Sequence, residues 1–403
     1  MDTELNLLTP KASGQVVYGI DAQSANKQKR TGVENYCRQL IEAMKLHQLE
    51  GGEQVVLYSN TKLDQTLGEL PQGWSSAVLN WPPGRGWMSM RVSWEMLRRK
   101  PSVLFVPGQA LPIICPSATV TTVHDLAFAR RPDLYEPATR KRLTRVTKKA
   151  VKKATRIIVP STSTKLDLVE LYHVAESRIV VIPEAADTNL FRHYTQESAR
   201  GALQKYRLGT NFFLVVGRLE KKKNITNLIR AFELFKSRRG MGDPFELVFI
   251  GEPGYGYGEM KKYFDLSPHK DQIRQLGYVP DEEVAPLMSQ AIAYLFPSWY
   301  EGFGIPNLEA MAAGTTLIAS DIPAHREVVG DALRPLDKLG AQGLAAGLLV
   351  PPGEPEAWAH ALERIVKDGT LRTELIAKGT ERVKQFSWEK TAQQTWEVLR
   401  GLV

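Results

Sequence analysis

Cysteine is scarce in this chain, whose 403 residues include only Cys37 and Cys115. Two cysteines are too few for a disulfide framework or a zinc site. The seven histidines are scattered and do not have the spacing of metal ligands. This cysteine usage is typical of a protein in a reducing cytoplasm, where we expect the chain to work.

Long apolar runs are also lacking. No stretch of roughly 18 or more apolar residues occurs, so the sequence predicts no membrane-spanning helix. Residues 1–14 are polar and do not have the basic start and apolar stretch of a signal peptide. The composition, with 43% hydrophobic and 24% charged residues, is that of a globular protein. The length predicts two or three domains.

The charge of the chain is unbalanced, with a net value of +8 and a pI near 9.2. Residues 130–156 hold eleven lysines and arginines and only two acidic residues. Such a balance favours anionic partners: nucleic acid, an acidic membrane surface or phosphate-bearing substrates. A nucleic-acid-binding protein is therefore one alternative. We expect no nucleic acid, because the basic stretch has no interleaved aromatic residues and no recognised binding motif.

Strands and helices alternate along the chain, which indicates an α/β protein with parallel sheets. The alternation lapses within Asp187–Leu208, so we predict one domain over residues 1–195 and a second over residues 205–386. Strands are predicted at Gln15–Ile20, Gln54–Tyr58, Val103–Val106, Thr119–Val123, Arg156–Val159, Ile179–Ile182, Asn211–Val216, Glu246–Ile250, Leu276–Val279, Ile292–Phe296 and Thr315–Ser320. Helices are predicted at Gly32–Lys45, Ile225–Arg238, Asp281–Gln290, Pro306–Ala313, Glu354–Lys367, Leu371–Gln385 and Trp388–Leu399.

A strand, a glycine-bearing loop and a helix follow one another around residues 292–313. The pattern predicts free backbone N–H groups at Phe303, Gly304 and Ile305, which would form a diphosphate site at the helix N-terminus. Glu301 and Glu309 flank this site, and a carboxylate can accept two hydroxyl hydrogen bonds from a vicinal diol. The structural alternative is that Glu309 only complements the helix dipole and that Glu301 is solvated.

The segment Val216–Asn224 also lies between a strand and a helix. Gly217 and Arg218 follow the strand directly, and Lys223 ends a run of three lysines. Cations at this edge would stabilise the charge that grows on a departing diphosphate. The alternative is a solvated lysine run, which is equally acceptable for Lys221 and Lys222.

Two features of the first half of the chain are expected to face the same phosphate site. Gly32 opens a helix and can bring backbone N–H groups near a phosphate. His124 follows a predicted strand, which places it at the strand's carboxyl end, and Asp125 can orient its ring. A single histidine is more often structural, so both interpretations stand at this point.

The ordered set of motifs resembles the retaining glycosyltransferase family 4, which has the GT-B fold of two facing Rossmann-like domains. Within the family, the chain is most similar to bacterial mannosyltransferases of O-antigen and capsule assembly. The matching stretches are TGVEN (Thr31–Asn35), VHDLAF (Val123–Phe128), IVPSTST (Ile158–Thr164), IPEAAD (Ile182–Asp187), VGRLEKKKN (Val216–Asn224), GYVPDE (Gly277–Glu282), FPSWYEGFGIPNLE (Phe296–Glu309), EAMAAGT (Glu309–Thr315) and ASD (Ala319–Asp321).

The resemblance implies a role for each matching residue. Glu309 would bind the ribose, Glu301 and His124 the transferred sugar, and Arg218 and Lys223 the diphosphate. The remaining donor-binding positions would be Gly32, Gly217, Tyr278, Val279, Phe303, Gly304 and Ile305, with the base beside Tyr278 and Val279. The catalytic group would comprise His124, Arg218, Lys223 and Glu301. The last helix, within residues 387–403, would cross back to the first domain.

The resemblance also implies the reaction: a metal-independent, cofactor-free transfer of a hexose with retention. Mannose from GDP-mannose is the favoured donor, and a glycan or lipid-linked molecule is the expected acceptor. A sugar-nucleotide epimerase of similar architecture is the second enzyme class, but the Glu301–Glu309 segment does not resemble one. The chain differs from the usual family pattern at two places. Glu184 replaces the usual Asn after Ile-Pro, and His325 lies in a run that differs from the family's and has no assigned role.

Acceptor binding would then fall to the N-terminal domain. Its segment Trp81–Lys100 is rich in tryptophan and arginine, among them Arg85, and together with residues 130–156 it suits an anionic membrane surface. A peripheral position at the inner face of the cell membrane is therefore one interpretation. The other is an ordinary helix whose Trp87, Met90, Trp94 and Leu97 face the core.

Overall fold

The computed structural model describes residues 15–28, 31–82, 86–240, 242–330 and 345–403. The polar segment 1–14 and Arg85 lie outside these ranges. The described chain forms two parallel β-sheets, each with a hydrophobic core on both of its faces. The predicted α/β fold class is therefore confirmed.

The first sheet has seven strands, and all neighbouring strands pair in parallel. They are β1 (Val16–Asp21), β2 (Glu53–Ser59), β3 (Trp74–Val78), β4 (Val103–Val106), β5 (Ala118–Thr122), β6 (Arg156–Val159) and β7 (Ile179–Val181). Their spatial order is β3-β2-β1-β4-β5-β6-β7. Both faces are covered, and the central strand β4 is accordingly a continuous, fully buried apolar run. The helices of this half are Gly32–Lys45, Ser93–Arg98 after a π-helical stretch at Trp87–Val92, Ala127–Arg130, Pro137–Lys153 and Thr162–Tyr172.

The second sheet has six strands in the order β10-β9-β8-β11-β12-β13, again all parallel. They are β8 (Phe212–Val216), β9 (Glu246–Ile250), β10 (Ile273–Gln275), β11 (Ala293–Phe296), β12 (Leu317–Ser320) and β13 (Leu348–Val350). The helices are Gln196–Tyr206, Ile225–Ser237, Tyr257–Leu266, Asp281–Gln290, Ile305–Ala312, Pro323–Val329, Pro355–Lys367 and Gly369–Val383.

Three strand assignments need correction. The strand predicted at Leu276–Val279 is wrong, because the pairing with β9 is made three residues earlier, by β10. Gly277 adopts a left-handed φ of 71°, which ends the extended run, and Val279 then turns into the core. Strands β3 and β13 were not predicted. Each lies at the edge of its sheet; β13 has only three residues, and Ser76 and Val78 of β3 are exposed.

The last helix, Trp388–Arg400, packs on the first half of the chain. Trp396 lies edge-on to Tyr18 and Trp74, at centroid distances of 5.2 and 6.2 Å. Arg400 forms an ion pair with Glu53 of β2 at 2.8 Å. The two halves are therefore joined by this helix as well as by the connection between β7 and β8.

The strand order reverses between β1 and β4 in the first sheet and between β8 and β11 in the second. Loops that leave adjacent strands in opposite directions open a crevice at such a point, where ligands bind in open α/β sheets. Gly217 follows β8, and Glu301 lies in the loop after β11. The fold therefore brings the two main sequence motifs to one edge.

Candidate active site between the two domains

The loop after β11 contacts the first half of the molecule at several points. The guanidinium group of Arg131 lies 4.8 Å over the ring of Trp299. The next residue, Tyr300, donates a hydrogen bond from its hydroxyl to the carboxylate of Asp167. The segment predicted as a donor-binding loop thus also holds the two domains together.

Gly302 is a point of close approach between the two domains. Its carbonyl oxygen accepts hydrogen bonds from the hydroxyls of Ser161 at 2.5 Å and Thr164 at 3.3 Å. A β-carbon on Gly302 would lie 1.8 Å from the carbonyl oxygen of His124. No side chain fits in that space, so glycine is required here for the domains to meet.

A second contact places an acidic side chain of one domain at a helix N-terminus of the other. The carboxylate of Glu327 accepts hydrogen bonds from the backbone N–H groups of Thr162 and Ser163, both at 2.8 Å. These groups have no partner within their own helix, and the helix dipole favours a negative charge there. The contact therefore fixes the second domain against the helix Thr162–Tyr172.

Glu301 lies between two lysines of the second domain. Its carboxylate is 2.7 Å from the Nζ of Lys223 and 3.3 Å from the Nζ of Lys222. Burial acts to raise the pKa of Glu301, but the charges of the two lysines outweigh it and hold that pKa well below its usual value. Glu301 is therefore ionised rather than poised to donate a proton.

Lys222 is a site residue that the sequence did not single out. Its Nζ also lies 3.2 Å from the carboxylate of Asp125 in the first domain. The Lys222 side chain is only 12% exposed, whereas the neighbouring Lys221 forms a more exposed ion pair with Glu259. The interpretation as a solvated lysine run is thus wrong for Lys222, since the contact with Asp125 depends on the packing of two domains.

The predicted phosphate cradle has the expected backbone geometry. Among the described residues, nothing accepts a hydrogen bond from the backbone N–H groups of Phe303, Gly304 and Ile305. Gly304 has a left-handed φ of 101°, which only glycine adopts easily, and the helix Ile305–Ala312 begins directly after it. The Nζ of Lys223 lies 4.0 Å from the position of a β-carbon on Gly217, at the same edge.

Two buried polar side chains beside this cradle lack partners within the described part of the chain. They are the amide of Asn307 and the Nε2 atom of His325. A β-carbon on Gly304 would lie 2.9 Å from the first and 3.2 Å from the ring of the second. Buried polar atoms are nearly always paired, so these two groups are suited to a bound ligand.

His325, which had no assigned role, is neutral. Its Nδ1 lies 2.9 Å from the carbonyl oxygen of Ser320, and its ring stacks on Phe296 at 4.8 Å. Burial lowers the pKa of His325 to about 4. The Nδ1 atom therefore carries the proton, and Nε2 is left as an acceptor for a ligand hydroxyl.

Glu309 has an environment opposite to that of Glu301. It is half-buried, and its carboxylate has no hydrogen-bond or ion-pair partner in the described ranges. Burial, with smaller contributions from Asp281 and Asp187, raises the pKa of Glu309 to about 8. The interpretation as a simple helix-dipole partner is not favoured, because no cation or polar group satisfies this carboxylate.

His124 lies on the other side of the cleft, in the first domain. Its Nε2 atom is 2.9 Å from the carbonyl oxygen of Pro107, and its Nδ1 atom is 3.2 Å from the carboxylate of Glu184. Tyr36 lies edge-on to the ring at 4.6 Å. The carboxylate of Glu184 is therefore in direct contact with the ring of His124.

Comparison with known proteins agrees with this geometry. The pattern described as Glycosyltransferase Family 4 matches residues 30–190, and that described as Glycosyl transferases group 1 matches residues 202–382. The O-antigen chain mannosyltransferase B of Escherichia coli is 30% identical over 307 residues, which cover 76% of each chain. This chain belongs to glycosyltransferase family 4.

Other similarities extend to more distant members and to the fold. A D-inositol 3-phosphate glycosyltransferase of Kineococcus radiotolerans is 29% identical, over 79% of this chain and 70% of that protein. The crystal structure of WaaG, a glycosyltransferase involved in lipopolysaccharide biosynthesis, superposes with a TM-score of 0.71 at 13% identity, covering 96% of this chain and all of WaaG. The fold of this glycosyltransferase is therefore GT-B.

The remaining predicted site residues differ in their exposure. Arg218 is exposed on the loop after β8. Tyr278 is 55% exposed, whereas the side chain of Val279 is buried in the core. Gly32 is exposed, with open space at its β-carbon position, one helical turn before Tyr36. A ligand can therefore reach Arg218, Tyr278 and Gly32 from solvent, but not the side chain of Val279.

Metal clusters and membrane-spanning helices are both absent from the described residues. No group of three or more His, Cys, Asp or Glu side chains is placed to hold a metal ion. No helix in the described ranges is both long and apolar enough to cross a bilayer.

Proposed function

We propose that this glycosyltransferase transfers mannose from GDP-mannose to a glycan or lipid-linked acceptor, with retention and without a metal or cofactor. The observation that carries the proposal is the set of unpartnered groups along one edge: the N–H groups of Phe303–Ile305, Asn307, His325 and Glu309. A nucleoside-diphosphate sugar offers phosphate oxygens, hydroxyls and a ribose diol that match them. Mannose is favoured because relatives are named mannosyltransferases.

The charges of the site suit the departure of a diphosphate. Lys223 lies beside Gly217 and faces the cradle, and Arg218 follows on the same loop. Fixed cations stabilise the negative charge that develops on the leaving diphosphate, which is the task a metal performs in other enzymes. Glu301 and Glu309 act in this proposal as holders of hydroxyls, since both belong to one loop–helix segment rather than to opposite sides of a bond.

We assign donor binding to residues 205–386 and acceptor binding to residues 1–195. A panel of GDP-, UDP-, ADP- and dTDP-sugars in a thermal-shift assay tests the donor, because bound donor stabilises the fold by mass action. GDP-mannose is expected to raise Tm most. Release of GDP with mannose appearing on an acceptor supports transfer, and NMR of the product's anomeric proton tests retention.

Variants test the assignment of the site. Glu309→Ala and Arg218→Ala are each expected to lower kcat/KM by at least about tenfold, whereas Arg230→Ala, on an exposed helix face of the same domain, is the matched control. Transfer that survives both site substitutions would refute the donor site. Isomerised donor without transfer would favour an epimerase.

We further propose that the enzyme works at an anionic membrane surface. The ordinary-helix interpretation of the segment after Trp81 is wrong, since only Trp87 of the four residues expected to face the core, Trp87, Met90, Trp94 and Leu97, is buried. The others, together with a neighbouring loop, form an exposed apolar patch. Its members and their exposed fractions are Met90 58%, Trp94 55%, Leu97 60%, Ile113 56% and Ile114 37%.

The patch is one continuous surface with a basic margin. The Ser93 hydroxyl accepts hydrogen bonds from the backbone N–H groups of Ile113 at 2.8 Å and Ile114 at 3.2 Å, which ties the loop to the helix. Lys153 donates to the carbonyl oxygen of Ile113. Burial, and then the charge of Lys153, lower the pKa of Lys149 nearby, so an anion is favoured there. Apolar side chains edged by cations suit an anionic bilayer.

Vesicle sedimentation tests this surface. The enzyme should bind phosphatidylglycerol vesicles at low salt, release them at high salt and bind phosphatidylcholine vesicles weakly. The double variant Trp94→Ser/Leu97→Ser should lose binding, whereas Leu266→Ser, at an even more exposed leucine of the other domain, should keep it. Vesicle binding that survives the double substitution would refute the proposed membrane role of the patch. The same holds if the wild-type enzyme is a dimer that does not bind vesicles and the double substitution converts it to a monomer.

A further inference from the structure

Glu184 was not assigned a role from the sequence, and it lies beside His124 in the cleft. The two side chains come from different strands of the first sheet, since His124 follows β5 and Glu184 follows β7. Glu184 is 6% exposed, and its carboxylate Oε1 lies 3.2 Å from Nδ1 of His124. The contact is thus a buried one that belongs to the fold.

The second ring nitrogen of His124 meets an acceptor as well. Nε2 lies 2.9 Å from the carbonyl oxygen of Pro107, which can accept a hydrogen bond but not donate one. A neutral imidazole has one N–H group and one lone pair. Since each ring nitrogen faces an oxygen, a neutral ring would direct its lone pair at one of these oxygens. This repulsion is avoided when a proton lies between Nδ1 of His124 and the carboxylate of Glu184, in addition to the proton on Nε2.

We propose that Glu184 is a positioning residue that keeps His124 as an imidazolium with both N–H groups held by the protein. His124 then acts as a fixed positive charge on the sugar side of the cleft and transfers no proton during the reaction. The inference rests on the proposed donor site, because the backbone of His124 touches the donor loop at Gly302.

The groups around the ring favour this charge state. Besides Glu184, the acidic side chain that faces His124 is Asp125, and Tyr36 covers the ring edge. Burial acts to lower the pKa of His124, but Glu184, the Pro107 carbonyl and Asp125 outweigh it and raise that pKa. Tyr36 adds no charge, because burial raises the pKa of its phenol well above the working range.

In the Glu184→Gln variant, His124 no longer faces a carboxylate that favours its protonated form. The side-chain amide of Glu184→Gln can donate to Nδ1, so a neutral ring protonated on Nε2 satisfies both contacts. The alkaline limb of kcat/KM should then move to lower pH by about one unit or more, and kcat at about pH 7.5 should fall by roughly tenfold. Donor affinity should change little, because the donor's nucleotide contacts lie in the other domain.

NMR titration of histidine-labelled enzyme tests the charge state apart from catalysis. The resonance of His124, identified by its loss in His124→Asn, should titrate at lower pH in Glu184→Gln than in the wild type. Glu176→Gln, a surface glutamate of the same domain, is the control and should leave it unchanged. A wild-type His124 that is already neutral at about pH 6.5 would overturn the proposal, even if the variant failed to fold.

The two readouts separate the possible failures. A shifted NMR titration with an unshifted pH–rate profile would show a structural pair that catalysis does not use, and would overturn the proposed role. If no donor in the panel were a substrate, the proposed function would fail, while the NMR result would still decide the charge of His124. Rescue of the profile by Glu184→Asp, which restores a carboxylate, is expected.

Discussion

Glu309 offers a direct test of the donor site, because its ionisation and donor binding should be coupled. The carboxylate is half-buried and has no partner among the described residues, and its pKa is raised to about 8. A ribose diol would donate two hydrogen bonds to the ionised form. We therefore expect donor binding to require deprotonation of Glu309, and donor affinity to rise with pH.

The size of the effect follows from the pKa. About one-hundredth of Glu309 is ionised at about pH 6 and about half at about pH 8, so the apparent donor affinity should rise roughly 50-fold over that range, or about 2.3 kcal/mol. The phosphates of a nucleotide sugar stay ionised throughout and do not contribute. Glu309→Gln should show weak binding with little dependence on pH.

Isothermal titration calorimetry with GDP-mannose at several pH values measures this directly. The ratio of wild-type to Glu309→Gln affinities isolates the carboxylate from other titrating groups, such as His124. Glu389→Gln, on an exposed helix face, should keep the wild-type slope. A wild-type affinity that is flat between about pH 6 and pH 8, or a Glu309→Gln variant with the full slope, would refute the reasoning.

The same pKa has a consequence for stability without donor. A raised carboxyl pKa stabilises the fold below the unfolded value of about 4.5, and this contribution is lost as pH rises through about 8. The upper limit of the loss is about 5 kcal/mol. The Tm of wild-type protein should therefore fall relative to that of Glu309→Gln as pH rises from about 5 to 8.

Two further variants test the contact between the domains. Gly302→Ala should reduce transfer by at least about a hundredfold while leaving nucleotide binding to the donor domain, because its methyl group would lie 1.8 Å from a carbonyl oxygen of the other domain. Gly201→Ala, with open space around it, should be neutral or stabilising; equal activity in the two variants would contradict the close contact. Lys222→Ala leaves the buried charge of Glu301 with one partner fewer and should lower the free energy of unfolding by about 3 kcal/mol. Urea denaturation measures this loss beside that of Lys221→Ala, which should be less than about 1 kcal/mol. Similar losses in the two variants would show that the buried Lys222–Glu301 ion pair contributes no more than an exposed one.

Much of the fold could be predicted because parallel strands are read from short apolar runs. Strand β4 and the helix Gly32–Lys45 were assigned with their observed limits. The sequence was less informative at the edges of the sheets, where fewer residues are buried. Strand β3 has the exposed serines of an edge, and β10 is only three residues long, so neither carries a strong hydrophobic pattern.

The candidate site and the exposed patch also differ in how far the sequence predicts them. The cradle at Phe303–Ile305 follows from a local pattern, because a glycine before a helix frees backbone N–H groups wherever the chain folds. The exposed patch was only one of two interpretations of the sequence, since a helix with apolar residues at every third or fourth position normally turns them inward. Only the position of that helix on the surface left Trp94 and Leu97 in solvent.

The sequence by itself determined the family, the two parallel sheets and the glycine-bearing loop before the helix Ile305–Ala312, since each depends on order and spacing along the chain. Tertiary structure alone decided which charges meet. It separated the ionised Glu301 from the largely protonated Glu309, eight residues away, and paired Glu184 with His124 across two strands. Electrostatic environment depends on burial and on neighbours distant in sequence, so it is set only when the domains pack together.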